Sequence, residues 1–322
     1  MNRIARLALP FIAAACTVAG SPAFAAAPPA ACPPEAAPLT AEAISAGMQT
    51  AKDHGFLWRL SKDGRTSYLY GTIHAARRDW MFPGPTVVES LRASDTLALE
   101  LDVLDADIQK RLAASIGSSR GEPLPPALER RLDKRKDAEC VDKKLWADFA
   151  PEFQVASLTV LAARRDGFDP AYAIDLVLAS VARNLGKPVA SLETPEQQMQ
   201  ALQMQSQQET TALVKDTLDD LDSGKARPLL RRMAKIWVEG DYAQLSRYPQ
   251  WCDCVRTPAE KAAMKRLLDD RNPAIAAGID ALHASGKQVF AAVGSLHMVG
   301  PAGLPALMRQ RGYKVEQGDF GK

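Results

Sequence analysis

Four histidines occur in the chain, His54, His74, His283 and His297, and two of them share a local phrase. Tyr68-Leu-Tyr-Gly-Thr-Ile-His74 and Val289-Phe-Ala-Ala-Val-Gly-Ser-Leu-His297 each carry an apolar run, a glycine, and a histidine three residues after it. A short apolar run closed by glycine reads as a buried strand. The glycine allows a sharp turn or a close approach of backbone to another group. Each imidazole would then stand at the mouth of a strand, where open α/β sheets place their ligands. One G-x-x-H says little; two in matching contexts define a candidate site.

The third chemical group is acidic. In Thr96-Leu-Ala-Leu-Glu-Leu-Asp102, strand alternation puts Leu97, Leu99 and Leu101 on one face. Thr96, Ala98, Glu100 and Asp102 fall on the other. A carboxylate near the end of a buried strand is costly unless paired or bound to something. If the strands neighbour one another, His74, His297 and Glu100 converge. Two imidazoles and a carboxylate leave open positions on a divalent metal ion, as needed to polarise a carbonyl or activate water. Manganese, cobalt and zinc all suit such donors. Asp175 and Glu193 are further candidates, either completing the metal shell or orienting an imidazole through its other nitrogen.

Bland readings stand beside these. A histidine at a strand end is often a satisfied structural residue, and Glu100 is equally readable as a buried ion-pair partner. Asp175 reads also as an ordinary rim carboxylate. His54, in a loop, and His283, on an exposed-looking helix end, receive no role. Ser295 lies outside any G-x-S-x-G elbow, which argues against a serine triad. The Gln-rich helix is read as a solvated face.

Elements must position these groups. Phe56–Ser61 and Thr66–Ile73 flank Lys62-Asp-Gly-Arg65, a hairpin signal. Further strands are expected at 96–102, 187–192, 289–293 and 313–316. Between them lie helical patterns, including a segment starting at Asp169-Pro170 that carries Asp175. In that segment Ile174, Val177, Leu178 and Val181 form the expected core face, and Ala171, Asp175, Ala179 and Ala182 a small-residue strip. A long polar helix is expected over Gln197–Leu221. The reading is an α/β fold: a mixed central sheet built from distant segments, with large helical insertions at about 104–186 and 195–285.

The N-terminus resembles a secretory signal peptide over residues 1–25, with Arg3 and Arg6, an apolar stretch Leu7–Ala19, and Ala23 and Ala25 at the cleavage positions. A lipoprotein reading through Cys16 is weaker. Residues 26–50 form a leader and first helix, and 51–322 a single domain. Removing Arg3 and Arg6 takes Lys plus Arg from 40 to 38, equal to the 38 acids. This balance gives no basis for a nucleic-acid partner. No later stretch is long and apolar enough to span a membrane, so a periplasmic or secreted protein is expected. Four cysteines then remain, Cys32, Cys140, Cys252 and Cys254, an even number that favours disulfides in an exported chain. Cys252-Asp-Cys254 reads as too tight to close on itself, so each is expected to pair with Cys32 or Cys140.

The phrases Tyr70-Gly-Thr-Ile-His74, Ala98-Leu-Glu-Leu-Asp102, Ile174-Asp175, Ser191-Leu-Glu-Thr194 with Gln198, Asp270-Arg-Asn272 and Gly294-Ser-Leu-His297 with Gly303-Leu-Pro305 together resemble the TraB/GumN family. The animal branch of that family includes the TIKI proteases. The resemblance spans nearly the whole mature chain. It implies an α/β fold similar to erythromycin-esterase-like and ChaN-like proteins, and a divalent-metal hydrolytic site with His74 and His297 as ligands. Glu100 would be ligand or general base, and Arg271 the charge partner of an acid or of a substrate carboxylate. Ala173 stands where many relatives have glycine. Three functions follow: a metal-dependent hydrolase of peptides, a metal-free esterase-like hydrolase of small molecules, or a non-catalytic binder of peptide, haem or metal.

Overall fold

The computed structural model describes residues 32–118, 121–255 and 257–318. The expected signal peptide, Cys16 and the leader before Cys32 lie outside the described residues. Six strands, β1 (Phe56–Lys62), β2 (Arg65–Thr72), β3 (Thr96–Leu99), β4 (Val189–Ser191), β5 (Val289–Gly294) and β6 (Lys314–Gln317), form one sheet in the order β4-β3-β5-β2-β1-β6. β1 and β2 are the expected hairpin, antiparallel, with Lys62 opposite Arg65. Asp63 and Gly64 both take positive φ, 51° and 72°, as a two-residue turn of this kind requires.

From β2 onward the pairing is parallel: β2 with β5, β5 with β3, β3 with β4. Thr72, Leu99, Ser191 and Gly294 therefore end their strands at one common edge. All residues of β3 and β5 are buried. This is the pattern of parallel strands covered on both faces, and it explains their near-continuous apolar runs. It also removes the polar face expected for Thr96 and Ala98, both fully covered.

Several boundaries differ from the sequence reading. β3 stops at Leu99, so Glu100 begins the following turn. Asp169 caps a short 3-10 turn, Pro170–Tyr172, and the α-helix starts afresh at Ile174. In the helix Ile174–Asn184 the buried face draws on both expected strips: Asp175, Ala179 and Ala182 are covered with Ile174 and Leu178, while Val177 and Val181 are half-buried and Ala171, before the helix, is exposed. The expected long polar helix is two, Pro195–Leu202 and Gln207–Asp222, separated where Ser206 caps the second. The first buries Gln198 and Met199 and the second buries Leu213, Val214, Leu218 and Leu221, so neither is merely a solvated face.

The cysteine pairing is a correction. Cys32 bonds Cys140, and Cys252 bonds Cys254. The tight pair closes because Asp253 takes a left-handed φ of 57°, folding the chain so that the two Cα atoms lie 5.1 Å apart. That spacing lies in the normal disulfide range. No helix among the described residues is long and apolar enough to cross a membrane.

Candidate functional site

The common strand edge brings the predicted groups together. His74 follows β2 by two residues, and Glu100 follows β3 directly. Glu193 lies just past β4, and its amide donates to the Glu100 carbonyl at 3.0 Å. His297 sits in a buried 3-10 turn, Ser295–Met298, immediately after β5. Glu100 is the hub. His74 Nε2 lies 3.9 Å from its Oε1 and His297 Nε2 lies 3.8 Å from its Oε2.

Each imidazole is oriented from behind. His74 Nδ1–H donates to Asp175 Oδ2 at 2.8 Å. Asp175 lies in the first turn of the helix Ile174–Asn184, where the helix dipole favours a negative charge. The start of that helix is tied to the residue before His74 by the bond from Ile174 N to Ile73 O. His297 Nδ1–H donates to Asn272 Oδ1 at 2.6 Å, while Asn272 Nδ2 donates to the Ala302 carbonyl at 2.8 Å. With Nδ1 protonated, a neutral ring presents its Nε2 lone pair, and in both rings this atom faces Glu100. Such rear support is typical of ligating imidazoles.

Arg271 binds the acids. Its Nη2 donates to Glu100 Oε2 at 2.7 Å and to Glu193 Oε2 at 2.5 Å, and its Nε donates to Glu193 Oε1 at 2.8 Å. Nη1 donates to the Leu267 carbonyl, inside a π-helical turn Lys265–Asp269 that precedes it. Such turns recur at functional sites because they re-aim side chains. Glu100 Oε1 accepts from the Gly294 amide at 2.8 Å. A Cβ at Gly294 would stand 3.2 Å from both Glu100 Oε1 and His74 Nε2, so glycine keeps the space between them open.

These contacts set the charges. Burial disfavours the ionised form of Glu100, but the positive charges of His297 when protonated, Arg271 and His74, with the Gly294 N–H, outweigh it and hold its pKa at about 2. Burial pushes His297 down to about 3, against the pull of Glu100, so the ring is neutral at ordinary pH. Burial also works against His74, yet Asp175 and Glu100 prevail and raise it above its usual value.

Two members carry no role in the sequence reading: Asn272 and Gln198 stand there only as motif residues, and the helix that holds Gln198 is read as a solvated face. Gln198 is 3% exposed, and its Nε2 donates to Glu193 Oε2 at 3.1 Å and toward Glu100 Oε2 at 3.5 Å. The capping box Thr194–Gln197 starts its helix directly after Glu193, which leaves Gln198 about one turn away. Ser295 is committed to structure, its hydroxyl donating to the Thr72 carbonyl. Among the described residues, no group of three or more His, Cys, Asp or Glu already stands in an arrangement that would hold a metal ion. Glu100 holds Arg271 and Gly294 instead.

A mixed α/β sheet with paired G-x-x-H imidazoles and a carboxylate at its parallel edge defines a protein with a built polar centre. The chain belongs to the TraB/PrgY/gumN family, whose model matches residues 56–317. It is similar to the uncharacterized protein YbaP of Shigella flexneri, 29% identical over 255 residues, covering 76% of this chain and 88% of that protein. YbaP of Escherichia coli K12 aligns with the same identity and coverage. It is also 24% identical over 317 residues to metalloprotease TIKI2 of Danio rerio, covering 82% of this chain and 61% of that protein. No solved structure matches.

Proposed function

We propose that this protein is an exported, metal-dependent hydrolase acting on peptide amides. The observation that carries the reading is the buried charge balance at the strand edge. Glu100, Asp175 and Glu193 are each at most 7% exposed; Arg271 pairs with Glu100 and Glu193, and Asp175 with His74. An excess of buried negative charge beside two imidazole nitrogens calls for a cation. Residue type supports this, as does rear support of both rings. The relative TIKI2 of Danio rerio is named a metalloprotease, which is consistent with it. The two disulfides are compatible with an oxidising compartment.

In this reading His74 and His297 hold a divalent ion through Nε2, with Glu100 as the anionic donor. Glu100 must then exchange one of its present hydrogen bonds. Asp175 and Asn272 fix the rings, and Arg271 holds Glu100 and Glu193 in register. A divalent ion bound there supplies Lewis acidity toward a substrate carbonyl. With Nδ1 bonded to Asp175 and Nε2 given to the ion, His74 has no lone pair left for a proton, so a carboxylate of the cluster, Glu100 or Glu193, would take the proton of the attacking water.

The test joins elemental analysis of the purified protein to cleavage of a peptide library. The expected result is bound divalent metal, activity lost to a chelator and restored by metal, and neither metal nor activity in His74→Ala with His297→Ala. Full activity in that double variant would overturn the reading. A second reading, metal-free ester hydrolysis with His74 as base, is favoured by one observation: Arg271 and Gly294 already engage both Glu100 oxygens. Activity that survives exhaustive chelation, in a protein without bound metal, would select it.

A further inference from the structure

Gln198 has an atom that the resting structure does not use. Its side-chain Oε1 is buried and has no hydrogen-bond partner. The amide orientation is fixed by its neighbours: Nε2 points at Glu193 Oε2 and Glu100 Oε2. Flipping the amide would set its oxygen against two carboxylates, so the nitrogen assignment stands. The outcome is a neutral acceptor, enclosed in the acidic cluster, with its desolvation uncompensated. A buried acceptor left in this state costs on the order of 1–3 kcal/mol, and such a group in a native protein needs an explanation.

The carboxylate oxygens that Gln198 touches are occupied. Both Glu193 oxygens receive Arg271 donors, and the Glu100 oxygens receive Gly294 and Arg271. A hydrolytic site must bind two kinds of donor, the O–H of the attacking water and, for a peptide, the N–H of the amide. A charged carboxylate of the cluster suits the water, whose proton has to leave. The amide N–H keeps its proton and needs only a neutral acceptor.

We propose that Gln198 Oε1 accepts the N–H of a secondary amide in the substrate and so makes Gln198 a specificity-determining residue for amides over esters. This rests on the hydrolase reading above. It assigns the glutamine two tasks: its nitrogen ties Glu193 to Glu100, and its oxygen recognises the substrate. A site that hydrogen-bonds an N–H discriminates against the analogue lacking it, because the buried acceptor is then left unpaired.

The experiment compares a matched pair of dipeptide-like substrates, one with an amide and one with an ester in the same position. Wild type, Gln198→Met and Gln198→Glu are assayed as metal-loaded full chains. Methionine keeps the volume and removes the acceptor. Glutamate between two carboxylates is held protonated, so it offers an O–H donor and a carbonyl acceptor as glutamine does. Both rates are expected to fall in Gln198→Met, with the amide falling further, so the ester-to-amide ratio of kcat/KM rises about tenfold. Gln198→Glu should return the ratio to within about twofold of wild type. Equal losses on both substrates in Gln198→Met would overturn the inference and leave the hydrolase reading intact. Wild type that cleaves neither substrate would overturn both. If Gln198→Met is poorly folded, the ratio in Gln198→Glu decides: wild-type discrimination supports the inference, and lost discrimination with retained ester cleavage refutes it.

Discussion

His283 lies near the opposite end of the sheet from His74 and His297, and the three rings are all substantially enclosed. At His283 both nitrogens are committed. Nδ1 accompanies Ser67 Oγ at 2.9 Å and Nε2 faces the Lys62 carbonyl at 3.1 Å. Ser67 Oγ accepts from the Val289 amide, so the ring closes a seam between the β1–β2 hairpin and the start of β5. Tyr313 packs edge-on against it, and Asp280 ties Tyr313 to Lys62. At the other edge each ring has its Nδ1 anchored to a neutral amide or a carboxylate, with Nε2 turned to Glu100. Burial does not separate a structural histidine from a chemical one here. What separates them is whether the second nitrogen is held by backbone or aimed at an acid.

The sharpest way to break that comparison is to remove each ring. His74→Ala or His297→Ala should lower kcat/KM per folded molecule on a cleaved peptide by about 10²–10⁴-fold, besides the stability lost when Asp175 or Asn272 is left without its ring. His283→Ala should cost stability alone: about 1–3 kcal/mol of destabilisation in urea melts, and unchanged turnover per folded molecule. Activity lost in the third and kept in the first two would invert the assignment. Arg271→Met tests the hub. It leaves Glu100 and Glu193 buried without their partner, and a loss of about 3–5 kcal/mol is expected. A melt within about 1 kcal/mol of wild type would mean that water already compensates the two acids.

Gly294→Ala is a finer probe. Its Cβ must press on Glu100 and His74 at 3.2 Å, so kcat/KM should fall about tenfold while urea melts move less than for His283→Ala. The smallest effect is on pH. His297 has a folded pKa of about 3, below its unfolded value, so its contribution is complete above about pH 6.5 and is lost as pH falls toward 3. Glu100 adds a loss between about 4.5 and 2. His74 is raised, so its contribution is complete below about 6.5 and is lost as pH climbs through its folded value. Urea stability of His297→Gln should therefore slope less between pH 6.5 and 3 than wild type. An unchanged slope would show that the ring protonates readily in the fold.

Much of the sheet was legible because buried parallel strands leave short apolar runs ended by glycine. Both G-x-x-H phrases sat at strand ends for that reason, and Glu100 was detectable as an acid in an apolar run. Gln198 and His283 were misjudged for one cause: polar side chains on amphipathic helices look solvated until the opposing surface is known. The split near Gln203 also escaped periodicity, which continued through the break. The Cys252–Cys254 bond needed a left-handed Asp253, and no residue-type rule favours aspartate there strongly enough to foresee it.

The place of β5 has a consequence for folding. It lies between β2 and β3, which have no hydrogen bonds to each other. A polypeptide that ends before Val289 lacks the middle of its sheet, so its halves have nothing to zip against. Nucleation must bridge more than 200 residues of intervening chain between β2 and β5. Such a topology assembles slowly and late, and a C-terminal truncation that reaches β5 should yield an aggregation-prone chain instead of a weakened fold.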